Sequence, residues 1–299
     1  MTTPTRPVPA RRRRSRRRTT RSLLAHLAAL VVTALYLIPM LNLLLVALTP
    51  TGEAATGAIP SRLAWGNFAE AMRASDFGLF FVNSLLVTLA STVSQVVLSC
   101  MAGYALAKMP VRGKNYILFG LIALLVVPPE VMMVPLFTLF THVPFAGGNN
   151  WMGQGGAGML DSYLIMILPH AASALGIFLM RQFYVDLPEE LGQSARVDGA
   201  GEMRVFAQIY TPLALPAVAV VTVLAFQSAW NDFLWPLVTV KSNDMRTLQL
   251  GLAVFYQENS TQWNLLMAAI LIMTIPIIAI FLYGQRFFAD GVAAGAVKQ

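Results

Sequence analysis

Charge is scarce in this chain. Asp, Glu, Lys and Arg make up 12% of its 299 residues, about half the share found in soluble domains. With 57% hydrophobic residues and a mean hydropathy of +0.63, a water-soluble domain is excluded. Cysteine occurs once, as Cys100 inside an apolar stretch, so no intramolecular disulfide is possible and the thiol is read as a small packing residue. No Gly-Lys-Ser/Thr phosphate loop occurs, which excludes a P-loop ATPase. Nor is there a Cys/His cluster, a nucleophile elbow or a paired catalytic carboxylate, so nothing supports an enzyme. No internal repeat is detected, which argues against an inverted-repeat secondary transporter.

What is present is apolar length. Six stretches, at 22–48, 80–107, 116–141, 162–180, 209–229 and 263–283, are suited to crossing a hydrocarbon core that takes about 20 residues of helix. Five hold no Asp, Glu, Lys or Arg, and the third holds only Glu130. A barrel strand needs only ~9–11 alternating residues. These runs therefore predict an all-α membrane protein with six transmembrane helices. The first is too long for a signal peptide and lacks a clear cleavage site, so it is read as a retained helix.

The net charge of +7 acquires meaning from its placement. Arg6, Arg11 to Arg14, Arg16 to Arg18 and Arg21 crowd the region before the first span. Such a run suits nucleic acid in other settings. Beside a span it is read as a disordered cytoplasmic anchor against anionic lipid. Alternating sides from there puts Lys108, Arg112, Lys114, Arg181, Arg196, Arg204, Arg286 and Lys298 inside with the tail. Only Arg62, Arg73, Lys241 and Arg246 fall outside. The positive-inside rule is satisfied with both termini cytoplasmic. The outer loop 143–159 is rich in Gly and Asn, holds no charge, and is read as a flexible connection.

A polar insert after the fourth span then faces the cytoplasm. Asp186 is expected to cap a helix over 186–199, with Pro188 in its first turn, Glu189 completing a capping box and Gly199 stopping it. Leu191, Ser194, Ala195 and Asp198 share one face of it. A second helix is expected over 202–210, ended by Pro212. Glu189, Glu190, Asp198 and Glu202 against Arg196 and Arg204 argue against a helix lying on lipid and for docking to a protein.

The insert resembles the signature loop of permease subunits of bacterial ATP-binding-cassette importers: Glu-Ala-Ala, three residues, Gly, nine residues, Ile, one residue, Leu-Pro. Here stand Gln193-Ser194-Ala195, Gly199, Ile209 and Pro212 at that spacing, with Gln193, Ser194 and Thr211 as departures. Asp198-Gly199-Ala200 is similar to the commonest form of the loop's centre. Asn83-Ser84, the run 102–108, Val127-Pro128-Pro129-Glu130 with Pro135-Leu136-Phe137, and the run 230–237 are similar to stretches of carbohydrate permeases. The end of the chain, from Gln285-Arg286-Phe287-Phe288 on, resembles that of the maltose-type second permease subunit. The resemblance covers residue 20 to the end. It implies a type I importer permease fold in the bacterial cytoplasmic membrane, with a cytoplasmic coupling helix carried by Glu189, Leu191, Gln193, Ser194, Ala195, Asp198, Gly199 and Ala200. The implied partners are a second permease subunit, two ATPase subunits that bind the ATP, and an extracytoplasmic sugar-binding protein. The chain itself would need no cofactor.

The implied domains are an Arg-rich tail (1–21), a first transmembrane helix (22–48), an external loop (49–79), a five-helix core (80–287) with a coupling loop at 184–212, and a cytoplasmic tail (288–299). Within the spans, Glu130 is either a pathway group or a carboxylate serving the backbone groups freed by Pro128 and Pro129. Trp230, Asn231 and Asp232 either contact a sugar or form an interfacial aromatic with a helix-end cap. His170 is read as a packed or backbone-bonded histidine. The implied cargo is a sugar, oligosaccharide or related polyol. A secondary transporter, or an importer permease for another solute, is the alternative; the former would need ionisable groups deep in several spans, whereas Glu130 alone is clearly in mid-span.

Overall fold

The computed structural model describes residues 15–54, 60–255 and 261–296. Among them every regular element is helical. Helix α1 spans Ser15–Ala47 and opens at Ser15 rather than after the arginine tail. Arg is a good helix former and the apolar helix downstream nucleates the turns before it. The rest of the expected tail, residues 1–14, lies outside the described residues. A short helix α2 (Gly66–Arg73) follows; its Asn67 side chain donates to the Ala47 and Thr49 carbonyls at 2.8 and 2.9 Å, tying it to the end of α1.

Helix α3 (Phe77–Lys108) is the central element, packed against the helices Ala174–Asp186 and Leu215–Trp230. It ends where Met109 turns extended, as the residue before Pro110 must. The third expected span is not one helix. Helices α4 (Lys114–Val126) and α5 (Pro129–Thr141) meet at a 107° bend. Val127 and Pro128 are extended because a proline ring excludes helical geometry at the residue before it and brings no N–H. Each piece, at 13 residues, is ~20 Å long, short of a ~30 Å core.

The fourth span is interrupted as well. Helix α6 (Tyr163–Ile167) passes into a 3₁₀ turn at Leu168–His170, and α7 (Ala174–Asp186) restarts with Ser173 as its cap. Helix α8 (Glu190–Val197) and α9 (Glu202–Val205) form the polar insert. A π turn, Phe206–Tyr210, leads into α10 (Thr211–Leu213), where the Thr211 hydroxyl donates to the Phe206 carbonyl at 2.8 Å. An 82° bend at Ala214 then opens α11 (Leu215–Trp230). Two short helices, α12 (Leu234–Thr239) and α13 (Leu248–Gly251), precede the 34-residue α14 (Trp263–Ala296). Helix α14 continues well past residue 283, so the stretch expected as a separate tail is helical to Ala296.

Three buried clusters hold these elements. Phe77, Phe80, Phe226, Trp230 and Leu266 join α3, α11 and α14. Tyr104, Met180, Tyr184 and Tyr210 lie under the insert. Phe140, Ile165 and Trp235 join α5, α6 and α12. The backs of α1, α3, α5 and α14 keep Leu35, Val93, Val134 and Ile275 exposed. Apolar surface of that extent is stable in lipid or against another membrane chain, not in water. The loop 143–159, expected to be flexible, folds on itself. Asn149 donates to the Thr141 and Val143 carbonyls at 2.9 Å and accepts from the Gly156 N–H at 2.8 Å. The glycines supply the positive φ this requires, as at Gly153 with φ 75°.

Candidate functional site

Two places carry the sequence-predicted residues: the polar insert, and a cavity between the broken helices.

At the insert, Asp186 does not cap α8. It is the last residue of α7, because Leu187, which precedes Pro188, leaves the helix. The cap of α8 is Glu189, three residues later than expected, and its carbonyl accepts from the Gly192 and Gln193 N–H groups at 3.0 and 3.1 Å. Glu189 and Glu190 in the first turn complement the helix dipole. At the other end Gly199 has φ 85°, the Ala200 N–H donates to Ala195 O at 2.9 Å and the Gly199 N–H to Arg196 O at 3.0 Å. Those two bonds make a Schellman stop centred on the glycine that the sequence marked.

An eight-residue helix is unstable by itself; long-range contacts hold this one. Lys108 Nζ donates to the Leu187 carbonyl at 2.6 Å, and the Tyr210 hydroxyl to the Pro188 carbonyl at 3.2 Å. The Tyr104 hydroxyl donates to Glu202 at 2.8 Å, and Arg196 pairs with the same carboxylate at 2.6 and 3.2 Å. The Arg196 guanidinium, with the Tyr104 hydroxyl, holds the Glu202 carboxyl below the usual carboxylate range. Sequence reasoning missed Tyr104, Lys108 and Tyr210. Their partners are remote in sequence, and no local spacing signals the pairing.

The free face of α8 carries Leu191, Gln193, Ser194, Val197, Asp198 and Gly199, with Val197 87% exposed. Glu189 is exposed at its start. Ala195 and Ala200, expected on the docking face, are half-buried and pack on the cluster beneath. Their small size is what lets the helix lie close to Tyr104 and Tyr210.

The cavity, of about 550 Å³, lies between α3, α5, α7 and the end of α11. The break before α5 places Glu130 in its wall, and the end of α11 places Asn231 and Asp232 there. Trp230 is not part of it. That indole is 2% exposed, stacks on Phe226 at 5.6 Å and donates from Nε1 to the Met273 carbonyl at 3.0 Å. The expectation of a sugar-contacting Trp230 is therefore revised to a core residue. His170 is also revised. Instead of a backbone partner it has the Asp232 carboxylate, Nε2 to Oδ2 at 2.9 Å, in the cavity wall. The other oxygen of Asp232 accepts the Trp235 N–H at 3.2 Å and opens α12. Asp232 is thus both the expected helix-end cap and a cavity residue. Gln95 and Ser228 line the same space without having been singled out, since a lone amide or hydroxyl in an apolar run gives no pattern.

Asn83-Ser84 proves structural. The Asn83 amide donates to the Asp244 and Arg246 carbonyls at 2.7 and 3.0 Å, its oxygen accepts from Tyr163 at 2.7 Å, and Ser84 accepts from the Leu248 N–H at 2.7 Å.

Residues 95–293 match the family described as "Binding-protein-dependent transport system inner membrane component". The chain belongs to that family. This membrane permease is 33% identical over 266 residues to the arabinooligosaccharides transport system permease protein of Halalkalibacterium halodurans, covering 87% of this chain and 90% of that one. It is 29% identical over 276 residues to the melibiose/raffinose/stachyose import permease protein of Bacillus subtilis, covering 91% and 95%. A crystal structure of a bacterial ABC transporter involved in the import of the acidic polysaccharide alginate matches with a TM-score of 0.73 at 21% identity, over 92% of this chain and 98% of that one. The importer permease fold and a place in the cytoplasmic membrane follow from this membership.

Proposed function

We propose that this permease is one of two membrane subunits of an ATP-driven importer that carries a sugar, oligosaccharide or related polyol into the bacterial cytoplasm. The names of its relatives support a carbohydrate cargo, although an sn-glycerol-3-phosphate transport system permease of Pectobacterium atrosepticum is also 32% identical over 241 residues. The partners are a second permease, two ATPase subunits that bind the ATP, and an extracytoplasmic solute-binding protein. The bent pairs α4–α5 and α9–α11 count as one span each in this reading, which makes six with both termini cytoplasmic.

The observation that carries the proposal is the geometry of the insert. Helix α8 is a rigid, exposed element bolted to the end of α3, and it presents Leu191, Gln193, Ser194, Val197 and Asp198 outward. A partner that pushes on it moves α3, which packs on α7 and α11 around the cavity. Glu189, Leu191, Gln193, Ser194, Asp198 and Gly199 form the ATPase contact, and Ala195 and Ala200 seat the helix beneath. Glu130, Asn231 and Asp232 belong to the solute pathway, which the second permease completes. The test is a mild-detergent pull-down of the tagged chain. An ATPase and a second permease are expected to co-purify with the wild type and to be lost from Val197→Asp. Purification of the chain alone under several gentle conditions would sink the proposal.

A further inference from the structure

The cavity has a lopsided chemistry. Of its 21 lining residues two are carboxylates, Glu130 and Asp232, and none is Lys or Arg. The one residue able to carry positive charge, His170, is already engaged by Asp232 at 2.9 Å. On the α3 wall the Gln95 side chain is only 8% exposed and faces this space. Among the described residues its carboxamide has no hydrogen-bond partner within the chain. The amide opens on the cavity instead of being sealed in the core, so what lies within its reach is whatever enters that space. Ser228 and Asn231 add an exposed hydroxyl and a second amide, and Phe233 adds an exposed aromatic surface.

Donor and acceptor groups beside an aromatic face match a sugar ring, whose hydroxyls both give and take hydrogen bonds. A volume of about 550 Å³ lies in the range of small-molecule sites. An anion in the same place would meet the two carboxylates with no Lys or Arg of this chain in the lining to offset them, and like charges at close range repel.

We infer that this cavity takes a unit of an uncharged polyhydroxylated solute, a neutral saccharide or polyol, and rejects solutes bearing phosphate or carboxylate. Gln95 and Glu130 are its specificity-determining residues. The inference rests on the importer reading and narrows it, since the relatives and structural neighbours include systems named for neutral oligosaccharides, for glycerol phosphate and for an acidic polysaccharide.

The experiment uses the complete importer, reconstituted in liposomes with its own partner subunits and binding protein. Uptake of labelled raffinose, an arabinooligosaccharide mixture, sn-glycerol 3-phosphate and an alginate oligomer is measured. A neutral probe is expected to enter and the anionic probes are not. Gln95→Leu is expected to raise the KM for the neutral solute about tenfold, the loss of roughly one buried hydrogen bond, with the complex assembling at wild-type yield. Gln95→Asn recovers part of that. Glu130→Gln, at an exposed position where folding is not at risk, narrows the preference for neutral over anionic probes about tenfold. Preferential uptake of either anionic probe overturns the inference, as does a wild-type KM in Gln95→Leu or an unchanged preference in Glu130→Gln. Uptake of no probe by a complex that still hydrolyses ATP overturns it too. A preparation that binds no ATPase overturns the importer reading itself.

Discussion

At the scale of single residues, three glycines answer three different demands. Gly199 supplies a left-handed backbone at φ 85° with open space around it, so the constraint is conformational. Gly199→Val places a β-branched residue there at a cost of about 1–2 kcal/mol. ATP-dependent uptake in whole cells is expected to fall tenfold or more with membrane yield unchanged. Gly192 answers to space: a Cβ there meets the Tyr210 hydroxyl at 2.9 Å, and that hydroxyl holds Pro188. Gly103 lets two helices touch, since a Cβ would lie 2.7 Å from Met180 Cβ and 2.8 Å from the Arg181 backbone nitrogen. Backbone does not yield as a side-chain end does. Gly103→Leu is therefore expected to cost at least ~1–3 kcal/mol from overpacking, read as a lowered Tm in detergent.

Single residues also mark how far a sequence reading reaches. Gly199 was legible because a glycine after a polar helical run has a local meaning. Ala195 was placed on the wrong side of α8 because helical spacing sorts residues into faces without saying which face has a neighbour. Trp230 failed for a related reason. Its place beside Asn231 and Asp232 suggested shared work, but Trp230 is the last residue of α11 and packs in the core, while Asn231 and Asp232 lie past the helix end.

Among the elements, the breaks are the informative features. Two prolines in succession end α4 and start α5, and the 107° bend carries Glu130 to the cavity wall. Tyr116 and Leu139 are both exposed, and the 23 residues separating them would span ~35 Å in one straight helix. Spin labels at these two positions are expected to report a distance well short of that. A value near the straight-helix length would contradict the bend. The interruption of the fourth span acts alike: the turn at Leu168–His170 brings His170 to Asp232. The insert depends on links rather than on its own length. Tyr104, Arg196 and Glu202 form one network. Because the Arg196–Glu202 pair is more than a third exposed on both sides, its direct worth is small, ~0.2–1 kcal/mol. Tyr104→Phe and Glu202→Gln act on that one network, so their effects on ATPase recovery are expected to be non-additive.

For the whole molecule, the distribution of arginine and lysine sets the predicted orientation. Reporter domains that are active only in the cytoplasm are expected to work at both ends of the chain and to fail at residue 152. Activity at residue 152 would reverse the topology and with it the placement of α8. The exposed apolar flanks of α1 and α5 are expected to be covered by lipid and the second permease. Cross-linking from Val134 in assembled complexes separates the two.

Composition, span length and charge bias were enough, from the sequence alone, for a helical membrane protein. The spacing around Gly199, taken together with the stretches at 83–84, 102–108, 127–137 and 230–237, was enough for its family; the glycine itself is legible because a left-handed stop is met by few residue types. Where α8 is anchored, which way its alanines face, and that Gln95, Glu130, His170 and Asp232 share one cavity were decided by the tertiary structure. Those relations join residues up to about 140 positions apart. In an apolar environment many helix pairings satisfy the same hydropathy pattern, and only the close packing of small residues and the pairing of the few polar groups selects one of them.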